Sequence, residues 1–444
     1  MLTIALIVLS ILLIIFLTVK VSLHPFLALL IASLFFGFFS GMEWLAIIET
    51  INQGFGDTVG KIGIIIIAGL IIGAFLEHSG GAYALANQVL KLVGRKRVHT
   101  AMGVIGYIVS IPVFADSGFI ILSSLNRALS KEAKVSLSGT AIALALGLIA
   151  THTMVPPTPG PITAAGLLDA DLGIVILIGL YASIGGLVVS ILFAKKYVSK
   201  HWIDPQPDLT NEEVEVKIRE APSAIKSFLP ILVPIILIVL RSFANYPSNP
   251  FGSGQFASLI LFFGNPVVAL FIGILLALML PKKLEKSMLS TDGWIGNALK
   301  SGSVIILITG AGGAFGSVLQ TSGIGEILGD FAGNYSIGLW LPFLVSMCIK
   351  SAQGSSTVAL TTTASIIAPM MISLGIETEV GKAMVVIAIG AGSAIVSHAN
   401  DSFFWVVTQM TGMNVSQGYR FHSLGSVVLG LTAMILLAIM NFFI

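Results

Sequence analysis

Apolar runs of about 20 residues, long enough to cross a hydrocarbon layer as a helix, recur along most of this chain. They predict spans near 2–19, 24–41, 61–79, 136–155, 172–194, 226–243, 258–280, 301–320, 381–400 and 423–443. Two further apolar stretches, 100–126 and 337–368, exceed one span, and each carries a polar break at mid-depth. The first breaks at Pro112-Val113-Phe114-Ala115-Asp116-Ser117-Gly118, the second at Lys350-Ser351-Ala352-Gln353-Gly354-Ser355-Ser356-Thr357. Irregular backbone at membrane depth survives only where protein covers it or it lines a watery cavity, so both read as re-entrant hairpins. In the first, Asp116 either marks a functional site or caps a returning helix, Phe119–Leu125. A different break, Thr151–Pro161 with four prolines, reads as the unwound middle of a discontinuous helix, and Ser397–Ser402 as its partner. Trp44–Thr58 and Ala82–Val93 read as interfacial segments, and the acidic, proline-bearing Trp202–Ala221 as a cytoplasmic linker.

Composition fixes the class. The chain is 56% hydrophobic and 10% charged, with a mean hydropathy of +0.99, against about 25% charge in soluble domains. It is read as an all-α polytopic membrane protein surrounded by lipid bilayer. Leu2–Val19 lacks a basic leader and a small-residue cleavage site, so it reads as a first span rather than a signal peptide. A net charge of +2 points to no nucleic acid, and the lone Cys348 forms no intrachain disulfide. No G-x-x-x-x-G-K-[ST] loop is present to bind ATP. The seven histidines show no metal-ligand spacing, so neither metal nor cofactor is expected.

The chain repeats itself. His24-Pro25-Phe26-Leu27-Ala28-Leu29 resembles Asn265-Pro266-Val267-Val268-Ala269-Leu270 at an offset of 241. Gly69, Gly73 and Leu76–Gly80 match Gly312, Gly316 and Leu319–Gly323 at 243, and Thr151-His152-Thr153 matches Ser397-His398-Ala399 at 246. Asp116-Ser117-Gly118 falls opposite Gln353–Ser356. Lys and Arg mark cytoplasmic loops. The basic loops are Lys20, Arg95–Arg97, Arg127/Lys131/Lys134, Lys195/Lys196/Lys200, Lys282/Lys283/Lys286 and Arg420, and the poor ones are 40–60, 156–172, 244–257 and 321–336. Ten spans and two hairpins separate the two sets and place both termini outside. Five spans per half then require inversion, with repeats at 1–195 and 226–444 about a linker at 196–225. Inverted repeats with broken helices are an architecture of secondary transporters.

The polar breaks carry the candidate chemistry. An acid at membrane depth marks a functional site, which singles out Asp116 with Ser117 and Gly118. Gln353, Gly354, Ser355, Ser356 and Thr357 suit a polyhydroxy anion. Lys350 could hold a carboxylate, pair with Asp116, or snorkel. Thr151, Thr153, Asn400 and Ser402 complete the binding set. Histidine titrates near neutrality, so His152 and His398, at equivalent points in the halves, are proton candidates beside Asp116 and Asp401. Glu77-His78 reads as interfacial.

Gly80-Gly81-Ala82, the Pro112–Gly118 hairpin, His152 with Pro156–Pro161, Ala164-Ala165-Gly166, Gln353–Ala359 and His398–Phe403 together resemble the gluconate permease family across nearly the whole chain. The resemblance implies a proton-coupled importer of gluconate, other sugar acids, glycerate or, in one branch, D-serine. It also implies the bacterial inner membrane, the ion-transporter fold, and a homodimer with scaffold and moving parts. The rival readings are a sodium-coupled carrier on the same fold, an intramembrane enzyme and a passive channel. The doubled polar sites, and the absence of H-x-x-x-H or paired aspartates, speak against the enzyme.

Overall fold

A computed structural model describes residues 2–94, 97–206, 211–245, 250–322 and 338–443, and among these every regular element is a helix. In order they are α1 Leu2–Ile15, α2 Pro25–Phe39, α3 Trp44–His78, α4 Gly81–Val93, α5 Val98–Val109, α6 Ala115–Glu132 and α7 Leu137–Met154. Next come α8 Pro159–Leu167, α9 Leu172–Lys196, α10 Asn211–Glu220, α11 Ala224–Ala244, α12 Gln255–Phe263, α13 Pro266–Ala277 and α14 Lys286–Leu289. The rest are α15 Trp294–Thr321, α16 Trp340–Gln353, α17 Ser356–Ile367, α18 Glu379–Ala394, α19 Ser402–Thr411, α20 Val415–Gly418 and α21 Leu424–Phe443. Arg95, Lys96, linker residues 207–210, loop residues 246–249 and the stretch 323–337 lie outside the described residues. The repeat anchor at Gly323, most of the 321–336 loop and the start of the second hairpin fall there.

Several expectations are corrected. Trp44–Thr58 is not a separate interfacial segment. It is the first part of the 35-residue α3, because Gly54 inside it is a contact face, pressed against Gly313 and Ser317 of α15. Among the described residues, six helical stretches are long and apolar enough to cross a membrane, or seven if α12–α13, bent by 65°, counts as one. The expected ten include α2 and α18, whose 15 and 16 residues rise only about 23–24 Å. The span at 258–280 is the bent pair. Asn265 restarts the helix by capping the Val267 N–H ahead of Pro266, which has no N–H of its own to continue the previous ladder.

The breaks are also shorter than expected. Helix α7 runs to Met154, so Thr151, His152 and Thr153 are helical, and only Val155–Thr158 is unwound. Pro159 is accommodated as the first residue of α8, where a missing N–H costs nothing. The returning helix of the first hairpin starts at Ala115, with Phe114 in the N-cap position. Asp116 is therefore in its first turn and not its cap. In the second hairpin, α16 ends at Gly354 (φ 82°), and Ser355 caps α17 by accepting from the Val358 N–H at 3.3 Å.

Glycine contacts fix how the long helices pack. Helix α3 runs antiparallel to α15: Gly54 meets Gly313 and Ser317, Gly63 meets Ile306, and Gly302 meets Ile67 and Leu70. Helix α9 runs antiparallel to α21, with Gly185 on Leu436 and Gly425 on Phe193. Helix α6 packs on α19, and α17 packs on α8. The glycines of α3 hold the site elements close. A Cβ on Gly73 would strike Pro112 O in the first hairpin, and one on Gly69 would lie 2.8 Å from Pro157 O in the α7–α8 break.

Candidate functional site

The two hairpin turns, the end of α7 and the break before α19 converge on one cavity of about 510 Å³. The first hairpin contributes Phe114, Ala115 and Asp116, and the second contributes Lys350 and Gln353–Val358. His152 and Thr153 come from the end of α7, and Ser397, Asn400, Asp401 and Ser402 from the break before α19. Pro25 of α2, with its N-cap His24, and Val304, Ile305 and Ile308 of α15 complete the wall.

Charge is arranged unevenly in this space. Lys350 is 2% exposed. Its Nζ donates to Asp401 Oδ2 at 2.6 Å and to Gly354 O at 2.5 Å. Asp401 also accepts from Ser397 Oγ at 2.5 Å and, through Oδ1, from the Phe403 N–H at 3.1 Å. The buried His422 Nε2 lies 2.9 Å from Ser397 Oγ. The Ser397 hydrogen is committed to Asp401, so the donor in that contact is Nε2–H, an assignment made from the network. Lys350 is thus neutralised by Asp401, not by Asp116. Asp116 has no cation within ion-pair distance among the described residues. Its Oδ1 accepts from Ser402 Oγ at 3.3 Å, tying the first hairpin to the start of α19.

Other polar groups in the cavity await a partner. Both amide atoms of Gln353, and Nδ1 of His152, are buried without a hydrogen bond. The first N–H groups of any helix lack partners inside it. Ser356 and Thr357 in the first turn of α17, and Ala115 and Asp116 in the first turn of α6, bring two such helix ends to the cavity. Positive helix ends with free N–H groups favour an anion.

Of the residues expected from sequence, the cavity gathers Asp116, His152, Thr153, Lys350, Gln353, Gly354, Ser355, Ser356, Thr357, Asn400, Asp401 and Ser402. Their hydroxyls are partly engaged: Ser356 Oγ donates to Ser393 O at 3.0 Å and Thr153 Oγ1 to Ile149 O at 2.9 Å. Asn400 donates to Ser351 O and Ala352 O at 2.8 and 3.1 Å, closing the end of α16. Four residues fall outside the cavity lining. Thr151 donates to Tyr107 O at 2.9 Å. Gly118 is a packing contact against Leu148. Ser117 faces a different pocket. His398 places Nε2 2.8 Å from Ser351 O and stacks on Tyr419, so the two histidines, equivalent in sequence, are not equivalent in the site. Phe114, Ser397, His24 and His422 were not singled out by sequence. Ser397 carried a signal, since it opens the second break, but His422 lies 21 residues beyond Asp401 on a π-helical turn, Tyr419–Ser423, that only the fold brings back.

Comparison with known proteins gives a consistent picture. The family model of the GntP family permeases matches residues 2–443. A gluconate permease of Pseudomonas aeruginosa is 32% identical over 433 residues, covering 95% of this chain and 94% of its own. The D-serine transporter DsdX of Escherichia coli is 32% identical over 431 residues, covering 96% and 95%. The inner membrane permease YgbN of Escherichia coli is 33% identical over 442, covering 96% of each. Among solved structures, the YdaH transporter of Alcanivorax borkumensis superposes with a TM-score of 0.68 at 14% identity, over 95% of this chain and 98% of that one. MtrF of Neisseria gonorrhoeae gives 0.65 at 16%, over 89% and 84%. At such identities the likeness is one of fold alone.

Proposed function

The chain belongs to the GntP permease family and is a multi-pass membrane transporter rather than an enzyme, and we propose that it imports gluconate or a related small hydroxy-carboxylate by proton symport across the bacterial inner membrane. The observation that carries this reading is the charge of the cavity. Lys350 and Asp401 cancel, and Asp116 adds a carboxylate without a cation. A substrate carboxylate at the α17 N-terminus would then share the space with a second bare anion. Two like charges about 4 Å apart repel by about 4 kcal/mol at an effective dielectric constant of about 20. A proton on Asp116 removes that repulsion. Substrate and proton therefore favour each other's binding, and linkage makes the effect reciprocal. The Gln353 amide and the Thr357 and Ser402 hydroxyls supply groups for the substrate's own hydroxyls.

The same reading includes the inverted repeat. A two-fold axis lying in the membrane plane turns a crossing helix into an antiparallel copy of itself, and an axis along the membrane normal does not. The antiparallel pairs α3/α15 and α9/α21 support the first arrangement.

A second reading has support from one feature. An α-amino acid such as D-serine, the substrate named for one relative, could set its carboxylate at α17 and its ammonium on Asp116. Thermal unfolding of the purified protein with gluconate, glycerate or D-serine separates the two, since a ligand stabilises the state it binds. Gluconate stabilises, more strongly at acidic than at alkaline pH and without sodium. Stabilisation by D-serine alone, and its loss in Asp116→Asn, favours the amino acid.

A further inference from the structure

The first hairpin has a second cavity on its far side. A pocket of about 210 Å³ lies between α3, the hairpin turn and the first turns of α15. Phe114 lines both cavities. Asp116 faces the substrate cavity alone, and Ser117, the next residue, faces the second pocket alone. Glu77, in the last turn of α3, is half-buried in this pocket, within reach of the Ser117 hydroxyl. Few charged or titratable groups surround it. His78 beside it is turned to Ala74 O at 2.8 Å and stacks on Trp294. Helix α15 presents Asn297 and Ser301, and Lys300 is tied to Asp292 at 2.9 Å. No cation pairs with Glu77 among the described residues.

The repeat shows that this acid is not needed to build the helix end. Gln320, which is exposed, stands at the equivalent position of the second half, and the tip of the second hairpin, Gln353–Thr357, has no acid where the first has Asp116. The glycines that admit a hairpin, by contrast, occur in both halves. The two acids thus flank one hairpin turn, in one half only. The pocket also lies toward the Lys- and Arg-rich end of α3 and α15, the cytoplasmic side by charge. A carboxylate substrate entering it would meet Glu77 with no cation to offset the repulsion, so the pocket suits a proton and not the anion.

We propose that Glu77 is the proton-release group of this carrier, receiving across the hairpin turn the proton that Asp116 takes up with substrate. The Asp116 O–H bond breaks, the Ser117 hydroxyl accepts that proton and passes its own to the Glu77 carboxylate, and Glu77 then yields it to cytoplasmic water. Asp116 returns to its anionic form and Ser117 is unchanged. The inference rests on the symport reading above.

The test uses the full-length protein in liposomes with labelled gluconate, comparing exchange at equal pH with accumulation driven by an imposed pH gradient. In Glu77→Gln, exchange stays within about twofold of wild type, and proton-driven accumulation falls about a hundredfold, the lower end of the effects seen on removing a proton-transfer group. Glu77→Asp, which keeps an acid one methylene shorter, recovers most of the accumulation. Undiminished accumulation in Glu77→Gln overturns the assignment while leaving symport intact. A wild type that exchanges gluconate but gains nothing from the pH gradient overturns the symport reading itself, and this role with it. Loss of exchange in both Glu77 variants shows that Glu77 holds the fold and overturns the assignment.

Discussion

Replacing Gln353 by methionine should move stability and affinity in opposite directions. Gln353 ends α16, and both its amide atoms are buried in the cavity with no hydrogen bond. Leaving such a group unsatisfied costs about 1–3 kcal/mol. Methionine has nearly the same length and no polar atom to strand, so the empty protein should gain stability by up to that amount. The bound state should lose. If the amide gives one bond and takes one from substrate hydroxyls, at about 0.5–1.5 kcal/mol each, affinity falls by about 1–3 kcal/mol, or about 5- to 150-fold in Kd. The assay is thermal unfolding of purified Gln353→Met with and without gluconate, backed by calorimetric Kd. The midpoint without ligand rises and the gluconate-induced shift shrinks. A lower midpoint together with an unchanged Kd would show that the amide supports structure, and the argument from unsatisfied groups would be wrong.

Three further outcomes follow from the same geometry. Lys350→Met strands a buried Asp401 and should destabilise by about 3–5 kcal/mol; adding Asp401→Leu restores most of the unfolding midpoint but not gluconate binding. Asp116→Asn fixes the first hairpin tip in a neutral form. Wild-type gluconate affinity, by calorimetry, should strengthen as pH falls through the carboxyl's titration and weaken above it, whereas the asparagine variant is flat and tight throughout. His398→Gln, outside the cavity and able to keep a contact to Ser351 O, should leave gluconate Kd within about twofold, while His152→Gln, inside it, should shift Kd measurably.

Much of the site was legible because polar residues stand out in an apolar chain. An aspartate, a lysine and a run of serines at mid-span cannot be explained by lipid contact, and they proved to be neighbours. What was not legible was how they pair. Lys350 and Asp401 lie 51 residues apart, and nothing in their spacing says that Asp401 rather than Asp116 is the counter-ion. Apolar content alone also could not set helix length. Trp44–Thr58 looked interfacial because Glu49, Asp57, Gly54 and Gly56 dilute it, yet Gly54 is a contact with α15. Conversely, α2 and α18 were apolar enough to be counted as spans but stop after 15 and 16 residues. The breaks were overextended for a related reason: proline removes its own N–H, but a helix can still run up to Met154 and restart at Pro159.

The most direct test of proton symport is the pH inside liposomes holding the purified protein, read with a trapped dye as gluconate enters in sodium-free buffer. The account predicts that external gluconate acidifies the lumen, that the rate follows gluconate concentration, and that Asp116→Asn takes up gluconate without the acid. Gluconate entry with no acidification in the wild type, or entry that starts only when sodium is added, would contradict it.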